Sequence, residues 1–260
     1  SKSQTFFCDA CGCAAGNGSS GFESLLNPQF IGIKYFAQHY KAKDNLFVED
    51  LTQDQYFNTV QLLGKIPVNE KLSIYGSIPF QFHSKKTLQG DISISGIGDA
   101  SIMGIYELVK SKNSFHQINA GLGVKIPLGK FDEKGITGVN PSFQLGTGSW
   151  DYQLAMNYKF QKDRFAMLIN TDYTIKTENK KHYQFGDQWN YSATAFYRLW
   201  NSTQSVLSGK IGLQGEVFDW NRQFSEVMPK TAGSALYGKA GFEISLNKLS
   251  LGTELMLPAY

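Results

Sequence analysis

Apolar and polar residues alternate along the segment Trp150–Lys176, which reads as two strands joined by a short turn. The alternation has a period of two, which places the apolar and polar sets on opposite faces of a β-strand. The apolar face of the first strand consists of Trp150, Tyr152, Leu154, Met156, Tyr158 and Phe160. Aromatic residues stand at both ends of this face and aliphatic residues at its centre, which is the layering that a lipid bilayer selects. The pattern therefore predicts a membrane-spanning hairpin.

The same alternation predicts eleven strands from Phe30 onward. Each is long enough for the roughly 9–11 residues with which a tilted strand crosses a bilayer. They span residues 30–40, 56–66, 72–82, 97–109, 115–126, 150–160, 165–176, 185–199, 205–217, 235–246 and 249–257.

The connections between these strands alternate in length. The short ones are 67–70, 110–114, 161–164, 200–204 and 247–248, and the long ones are 41–55, 83–96, 127–149, 177–184 and 219–234. Short periplasmic turns that alternate with long extracellular loops are typical of outer-membrane barrels. The sequence therefore predicts an all-β fold, a transmembrane antiparallel up-and-down β-barrel whose first strand runs outward. Single-chain bacterial barrels have an even strand number, so we expect about 12 strands, with the last one missing from this sequence.

The face opposite the aromatic bands is polar and carries acids and bases in nearly equal number. The lumen candidates on it include Lys125, Asp151, Asn157, Asn170, Asp172, Gln188, Arg198, Lys210, Glu216 and Glu243. Such a set is too polar for the packed core of a soluble barrel, because each unpaired buried charge costs several kcal/mol. Two interpretations stay open: the charges pair across the lumen and stabilise the wall, or some of them line a selective path.

Composition fits this picture of one large domain. The 260 residues include 14% aromatic residues, 26 Gly and 7 Pro, as expected for a β-rich chain with many turns. The net charge of +3 is spread along the chain and predicts no nucleic-acid partner. There is no apolar run of the length that a transmembrane helix needs. The start at Ser1-Lys2-Ser3 is what a processed exported chain would show.

Residues 1–28 differ in composition from residues 29–260, the predicted barrel, and form a Cys/Gly/Ser-rich periplasmic or plug segment. All three cysteines lie there, as Cys8, Cys11 and Cys13. Their thiolates have a spacing that a tight loop can gather round one Cu(I), or round Zn(II) with a fourth ligand. An oxidising periplasm favours instead a Cys8–Cys11 disulfide with Cys13 free or paired elsewhere, and other redox chemistry is a third interpretation.

The four histidines, His39, His83, His116 and His182, stand at strand ends and in loops. None has ligand spacing with another, so we interpret them as surface or interfacial residues. Asp, His and Ser are present, but no motif brings them together as a hydrolytic triad. The sequence thus predicts no catalytic residues and no enzyme.

Five short segments resemble the phenol meta-pathway degradation family of outer-membrane proteins, often labelled "transporter". They are Gly96–Asp99, Gly123–Gly129, Gly146–Asp151, Phe185–Asp187 and Tyr197–Leu199, and the resemblance covers residues of about 96–257. It implies a barrel of about twelve strands in a Gram-negative outer membrane, with a role in passing small molecules. Two departures stand out: the segment Cys8–Cys13 resembles a feature of Bacteroidota members rather than the general pattern, and the closing strand is absent.

Three functional hypotheses follow. The first is a porin-like channel or transporter for a small solute in the cell outer membrane, with the three thiolates capturing a soft metal such as copper. The alternative is a non-conducting structural or accessory subunit of a larger outer-membrane protein complex. The third is a metal or redox module that the barrel anchors. The expected partners are outer-membrane lipid, a small-molecule solute and other outer-membrane or periplasmic proteins.

Overall fold

The chain folds into antiparallel β-structure, as its alternation predicts. The computed structural model describes residues 30–43, 52–87, 90–131, 143–246 and 249–259. Strands in these ranges are β1 (Phe30–Lys43), β2 (Thr52–Pro67), β3 (Leu72–Thr87), β4 (Gly90–Ile97), β5 (Ala100–Lys110), β6 (His116–Ile126), β7 (Asp151–Lys162), β8 (Phe165–Ile175), β9 (Tyr183–Gln184), β10 (Gln188–Asn201), β11 (Ser205–Phe218), β12 (Arg222–Gln223), β13 (Glu226–Val227), β14 (Gly233–Leu246) and β15 (Leu249–Pro258). No helix in them is long and apolar enough to cross a membrane.

The long strands form one up-and-down sheet in the order β1-β2-β3-β5-β6-β7-β8-β10-β11-β14-β15, with β4 also paired to β3. β4 and β5 are two parts of one pass, because both pair with β3, through Phe80↔Ile97 and Ser77↔Ser101. The pass is interrupted at Gly98 and Asp99. Counted in this way, the eleven predicted strands correspond to the eleven passes of the sheet within the described ranges.

The connections separate into two ends of the sheet. At the turn end, the links between β2 and β3, β5 and β6, β7 and β8, and β10 and β11 have two to five residues, as predicted. At the loop end, the link from β6 to β7 is residues 127–150, and the links 176–187 and 219–232 follow β8 and β11. These three long connections agree with the predicted length pattern.

The predicted long loop 83–96 is wrong. β3 continues to Thr87, β4 begins at Gly90, and the two pair through Thr87↔Gly90. The alternation in this part of β4 is opposite to that of a lipid-facing strand, since Ile92 and Ile94 point inward and Ser93 and Ser95 are exposed. The strand prediction relies on apolar residues on the lipid-facing side, so a strand whose outer face is polar is predicted as a loop. The predicted loop 41–55 is likewise shorter, because β1 and β2 extend to Lys43 and Thr52.

The sheet is curled. Phe143 lies in the connection between β6 and β7, yet its ring packs at 5.8 Å from Phe57 on β2. At the loop end, the short strands β13, β12 and β9 form a second sheet of three strands. We call the concave face of the large sheet the inner wall and its convex face the outer wall.

Candidate functional site on the inner wall

The outer wall is apolar and exposed. Along β7, Trp150 and Tyr152 at the loop end and Leu154 and Met156 at the centre all have more than two fifths of their surface exposed. β8 continues the pattern with exposed Phe165, Ile169, Tyr173 and Ile175. Apolar side chains of this kind are exposed without penalty in a bilayer, where aromatic rings occupy the interfaces. The predicted orientation of the central hairpin is confirmed.

The inner wall is polar, and all ten predicted lumen residues lie on it. The buried ones are Lys125, Asp151, Asn170, Asp172, Gln188, Glu216 and Glu243. The other three, Asn157, Arg198 and Lys210, are partly exposed. Whether these side chains line a path for a solute remains a prediction.

The inner-wall residues are joined by hydrogen bonds and ion pairs, both within a strand and between strands. Asn190 Nδ2 donates to Asp172 Oδ2 at 2.8 Å, and Gln188 Nε2 donates to Asn190 Oδ1 at 2.8 Å. Lys210 Nζ pairs with Glu254 Oε2 at 2.8 Å. These contacts agree with the interpretation that charges pair and stabilise the wall.

The predicted metal ligands Cys8, Cys11 and Cys13 lie outside the described residues. Within the part of the chain that the structure describes, no group of three or more His, Cys, Asp or Glu side chains is placed to hold a metal ion.

Two carboxylates and one ammonium group form a buried cluster at the loop end of the inner wall, which we call the ion cluster: Asp99, Lys125 and Asp151. Lys125 and Asp151 are direct cross-strand partners on β6 and β7, and Lys125 Nζ lies 2.6 Å from Asp151 Oδ2. The same Nζ lies 2.8 Å from Asp99 Oδ2, which the interruption between β4 and β5 aims inward. The side chains of Lys125 and Asp151 are fully buried. Burial at this level requires that each charge be paired and hydrogen-bonded.

Backbone and hydroxyl donors compensate both carboxylates of the ion cluster. Gly129 N donates to Asp99 Oδ1 at 3.0 Å, and Thr147 N donates to Asp99 Oδ2 at 2.9 Å. Ser149 Oγ and Thr177 N both donate to Asp151 Oδ1, at 2.8 and 3.1 Å. Thr147 Oγ1 also contacts Lys125 Nζ. The donors come mainly from the connection between β6 and β7, so the cluster fixes this connection against the inner wall.

The connection 127–150 folds inward, and we call its described parts, 127–131 and 143–150, the inner loop. Phe143 and Leu145 are buried, with 2% and 8% of their surfaces exposed. The Phe143 ring meets Phe57 and lies 5.9 Å from the His83 ring. The inner loop thus occupies space on the concave side of the sheet, where it narrows any passage.

Two more loop-end segments pack on the inner loop. Asn179 Nδ2 donates to the Thr147 carbonyl oxygen at 2.9 Å. The Phe131 ring lies 5.8 Å from Tyr183, whose hydroxyl accepts a hydrogen bond from Asn221 Nδ2 at 2.8 Å. The connections after β8 and β11 therefore cover the inner loop from the loop end.

Sequence reasoning missed His83, which was assigned to a loop as a surface or interfacial residue. The structure places it on the inner wall of β3 with 1% of its surface exposed. Its Nε2 lies 3.0 Å from Gln81 Oε1, and its ring meets the edge of Phe57 at 4.7 Å. Its position could have been predicted from the two-residue period, because His83 follows Ser77, Pro79 and Gln81 on the inner face of β3, beyond the predicted end of the strand.

Comparison with known proteins agrees with this architecture. The model of the family described as "Putative MetA-pathway of phenol degradation" matches residues 49–247. The crystal structure of the COG4313 outer membrane channel from Pseudomonas putida F1 is similar at 15% sequence identity, covering 92% of this chain and 91% of that one with a TM-score of 0.68. Among curated proteins there is no match. The family resemblance expected from the five short segments is confirmed, and the match also includes strands that precede them.

The structural match and the apolar outer wall both give evidence about where in the cell the chain is located. The matched fold is that of an outer-membrane protein, and the exposed apolar band of the outer wall needs a lipid surround. Both findings agree with the predicted location in the outer membrane.

Proposed function

Because the chain belongs to the family described as MetA-pathway of phenol degradation and has the fold of an outer-membrane channel, we propose that it is an outer-membrane channel for a small solute. The observation that carries this proposal is the opposite chemistry of the two walls. The outer wall exposes apolar side chains to lipid, and the inner wall carries polar and charged groups. A wall of this kind supports a water-filled interior, since its polar groups need hydrogen-bonding partners.

The proposal includes closure of the curled sheet into a barrel. Within the described ranges, β1 and β15 each have a partner on one side only. Both run from the turn end to the loop end, since Phe30 and Leu249 begin at the turn end. One further strand that runs in the opposite direction between them would be antiparallel to both edges. Unpaired backbone groups cost several kcal/mol each in lipid, so closure by such a strand, giving twelve passes, is favoured.

The solute is small in this proposal, because the inner loop reduces the open cross-section at the loop end. Phe143 and Leu145 lie on the concave side, and the ion cluster fixes the segment in that position. The loop end therefore acts as the narrow part of the path.

The N-terminal cysteines add a second element to the proposal. The spacing of Cys8, Cys11 and Cys13 supports capture of a soft metal such as Cu(I), or of Zn(II) with a fourth ligand. A Cys8–Cys11 disulfide is the competing chemistry. The copper and zinc content of the chain, compared with a variant in which all three cysteines are serine, distinguishes the two.

The channel proposal is tested by solute flux into liposomes that contain the purified full-length chain. Swelling in an arabinose solution is expected, and a form that lacks residues 1–28 swells faster if that segment is a plug. The triple serine variant separates an effect of the thiols from an effect of the segment. Correct insertion is checked by protease resistance of the reconstituted chain.

If all forms insert correctly and none passes arabinose or salt, the channel function is wrong. Stable association with a second membrane protein would then favour the structural or accessory subunit.

A further inference from the structure

Four basic side chains gather at the turn end of the inner wall, and we call them the basic zone: Lys65, Lys110, Lys159 and Arg198. Each lies within the last four residues of a strand that runs toward the turn end, namely β2, β5, β7 and β10. Lys110 and Lys159 both pair in register with Gln117, so they flank it in one row of the sheet. Lys65, Lys110 and Arg198 all act electrostatically on Lys159. Curling of the sheet thus gathers bases from four strands.

Acids do not balance the basic zone. Glu107 lies in the next row and accepts a hydrogen bond from Gln117 Nε2 at 2.8 Å. Glu243 shares a row with Arg198 through Ser208 and has 2% of its surface exposed. Within the described residues, the four bases of the basic zone therefore face these two acids, and the excess charge is positive.

Among the described residues, the loop half of the inner wall has no such excess of bases. Two carboxylates share the single ammonium group of Lys125 in the ion cluster. Asp172 and Glu216 are both register partners of Asn190, and Lys176 lies near Glu216. Among the described side chains of the inner wall, the excess of bases thus lies at the turn end.

A wall charge of one sign concentrates ions of the other sign in a narrow passage. At a separation of about 7 Å in water, one unit charge contributes about 0.6 kcal/mol, which changes the local anion concentration about threefold. We propose that the basic zone binds small anions in transit and gives the channel a preference for anions over cations. This inference rests on the proposed channel function and specifies the charge class of its solute.

The test is the reversal potential of the full-length chain in a planar bilayer under a KCl gradient, with chloride and potassium as the probes. The chloride-to-potassium permeability ratio is expected to exceed unity. Lys159→Gln and Arg198→Gln each lower it at least about threefold, because loss of the charge lowers the local chloride concentration and raises that of potassium, and Lys159→Arg retains it. Lys112→Gln is the matched control, because it removes the same charge from the exposed β5–β6 turn. Raising the salt from 0.1 to 1 M shortens the screening length from about 10 to 3 Å and weakens the preference.

The outcomes separate this inference from the channel function. Conductance with a preference for potassium, or with a ratio that Lys159→Gln and Arg198→Gln leave unchanged, overturns the anion preference alone. Absence of conductance in every form overturns the channel function, and the anion preference with it. A lowered ratio in the two glutamine variants and an unchanged ratio in Lys112→Gln and Lys159→Arg supports the basic zone.

Discussion

The contact of Lys125 with two acids is buried, and its loss is expected to have a large energetic consequence. Buried ion pairs are weak evidence for stability, because desolvation offsets much of the attraction. Removing one partner is different, since the remaining charge is left buried without compensation. Without Lys125, the carboxylates of Asp99 and Asp151 would remain, and the donors that the described residues give them in hydrogen bonds are neutral backbone amides and hydroxyl groups.

Lys125→Met is therefore expected to destabilise the chain by about 3–5 kcal/mol. Lys210→Met is the matched control, because Lys210 also pairs with an acid at 2.8 Å, but both side chains of that pair are partly exposed. Its expected cost is about 0–1 kcal/mol. The free energy of unfolding, measured by denaturant titration in detergent micelles, distinguishes them. Equal losses in the two variants would contradict the role assigned to burial.

For a single residue, the sequence predicts on which face of the sheet its side chain lies, but not which side chain it contacts. Strand parity places Lys125, Asp151 and Glu243 on the inner wall, because a period of two needs only local sequence. The contact of Asp99 with Lys125 depends on where the pass from β4 to β5 is interrupted, and that position follows from pairing with β3. Thr147 joins them from a loop, whose conformation has no periodic signal.

In the proposed channel, the element that determines the width of the path is the inner loop. Gly146 allows its close approach to the wall, because a Cβ atom there would collide with Asp99 Oδ1 and lie 2.7 Å from the Gly129 Cα. Both neighbours are fixed, since Gly129 N and Thr147 N donate to the Asp99 carboxylate. A side chain at this position displaces the loop from the ion cluster.

Gly146→Ala is accordingly expected to release the inner loop from the ion cluster more often and to increase the mean conductance about twofold or more, because it removes a close contact of the loop with the wall. Gly238→Ala is the matched control, because a Cβ atom at Gly238 has nothing within 4 Å. Conductance in a planar bilayer is the measurement. An unchanged value in Gly146→Ala, with insertion intact, would show that the inner loop does not limit the path.

For elements, the sequence predicts the passes of the sheet well and the loop end poorly. Alternation and short turns are local, and they give strands such as β7 and β8 within two residues of their ends. The hairpin of β3 and β4 was missed because its outer face is polar at Ser93 and Ser95, which indicates that it extends beyond the lipid. The small sheet of β9, β12 and β13 has two residues in each strand, too few for any periodic signal.

At the scale of the whole molecule, the parallel direction of β1 and β15 determines how the barrel can close. Direct pairing of the two edges would be parallel in an otherwise antiparallel sheet. A strand inserted between them sets their separation at twice the spacing of neighbouring strands, about 10 Å. The sequence predicts the parallel direction of the two edges, because eleven predicted strands are an odd number and the first and last of them then run the same way.

Cysteine pairs across the gap test this arrangement, in a background where Cys8, Cys11 and Cys13 are serine. Ile33→Cys is combined in turn with cysteine at Leu251, Thr253 and Leu255, which alternate on the outer face of β15. A bismaleimide with a reach of about 10 Å is expected to join at least one pair. Ile33→Cys with Ile169→Cys, on β8, is the control that stays unlinked. A direct disulfide between β1 and β15 would show parallel closure, and no product at all would show an open edge.

The inner loop joins two strands that also carry members of the ion cluster to which it is anchored. Lys125 is near the end of β6, and Asp151 begins β7. Lifting the loop requires that Thr147 leave Asp99 and that Ser149 leave Asp151, and both acids share one ammonium group. Contacts coupled in this way break together. In the proposed channel, the loop is therefore expected to have two states, attached and lifted, rather than a range of widths. The current through one molecule then steps between discrete levels. Weakening the anchor shortens the shut intervals and leaves the height of the open level as it was.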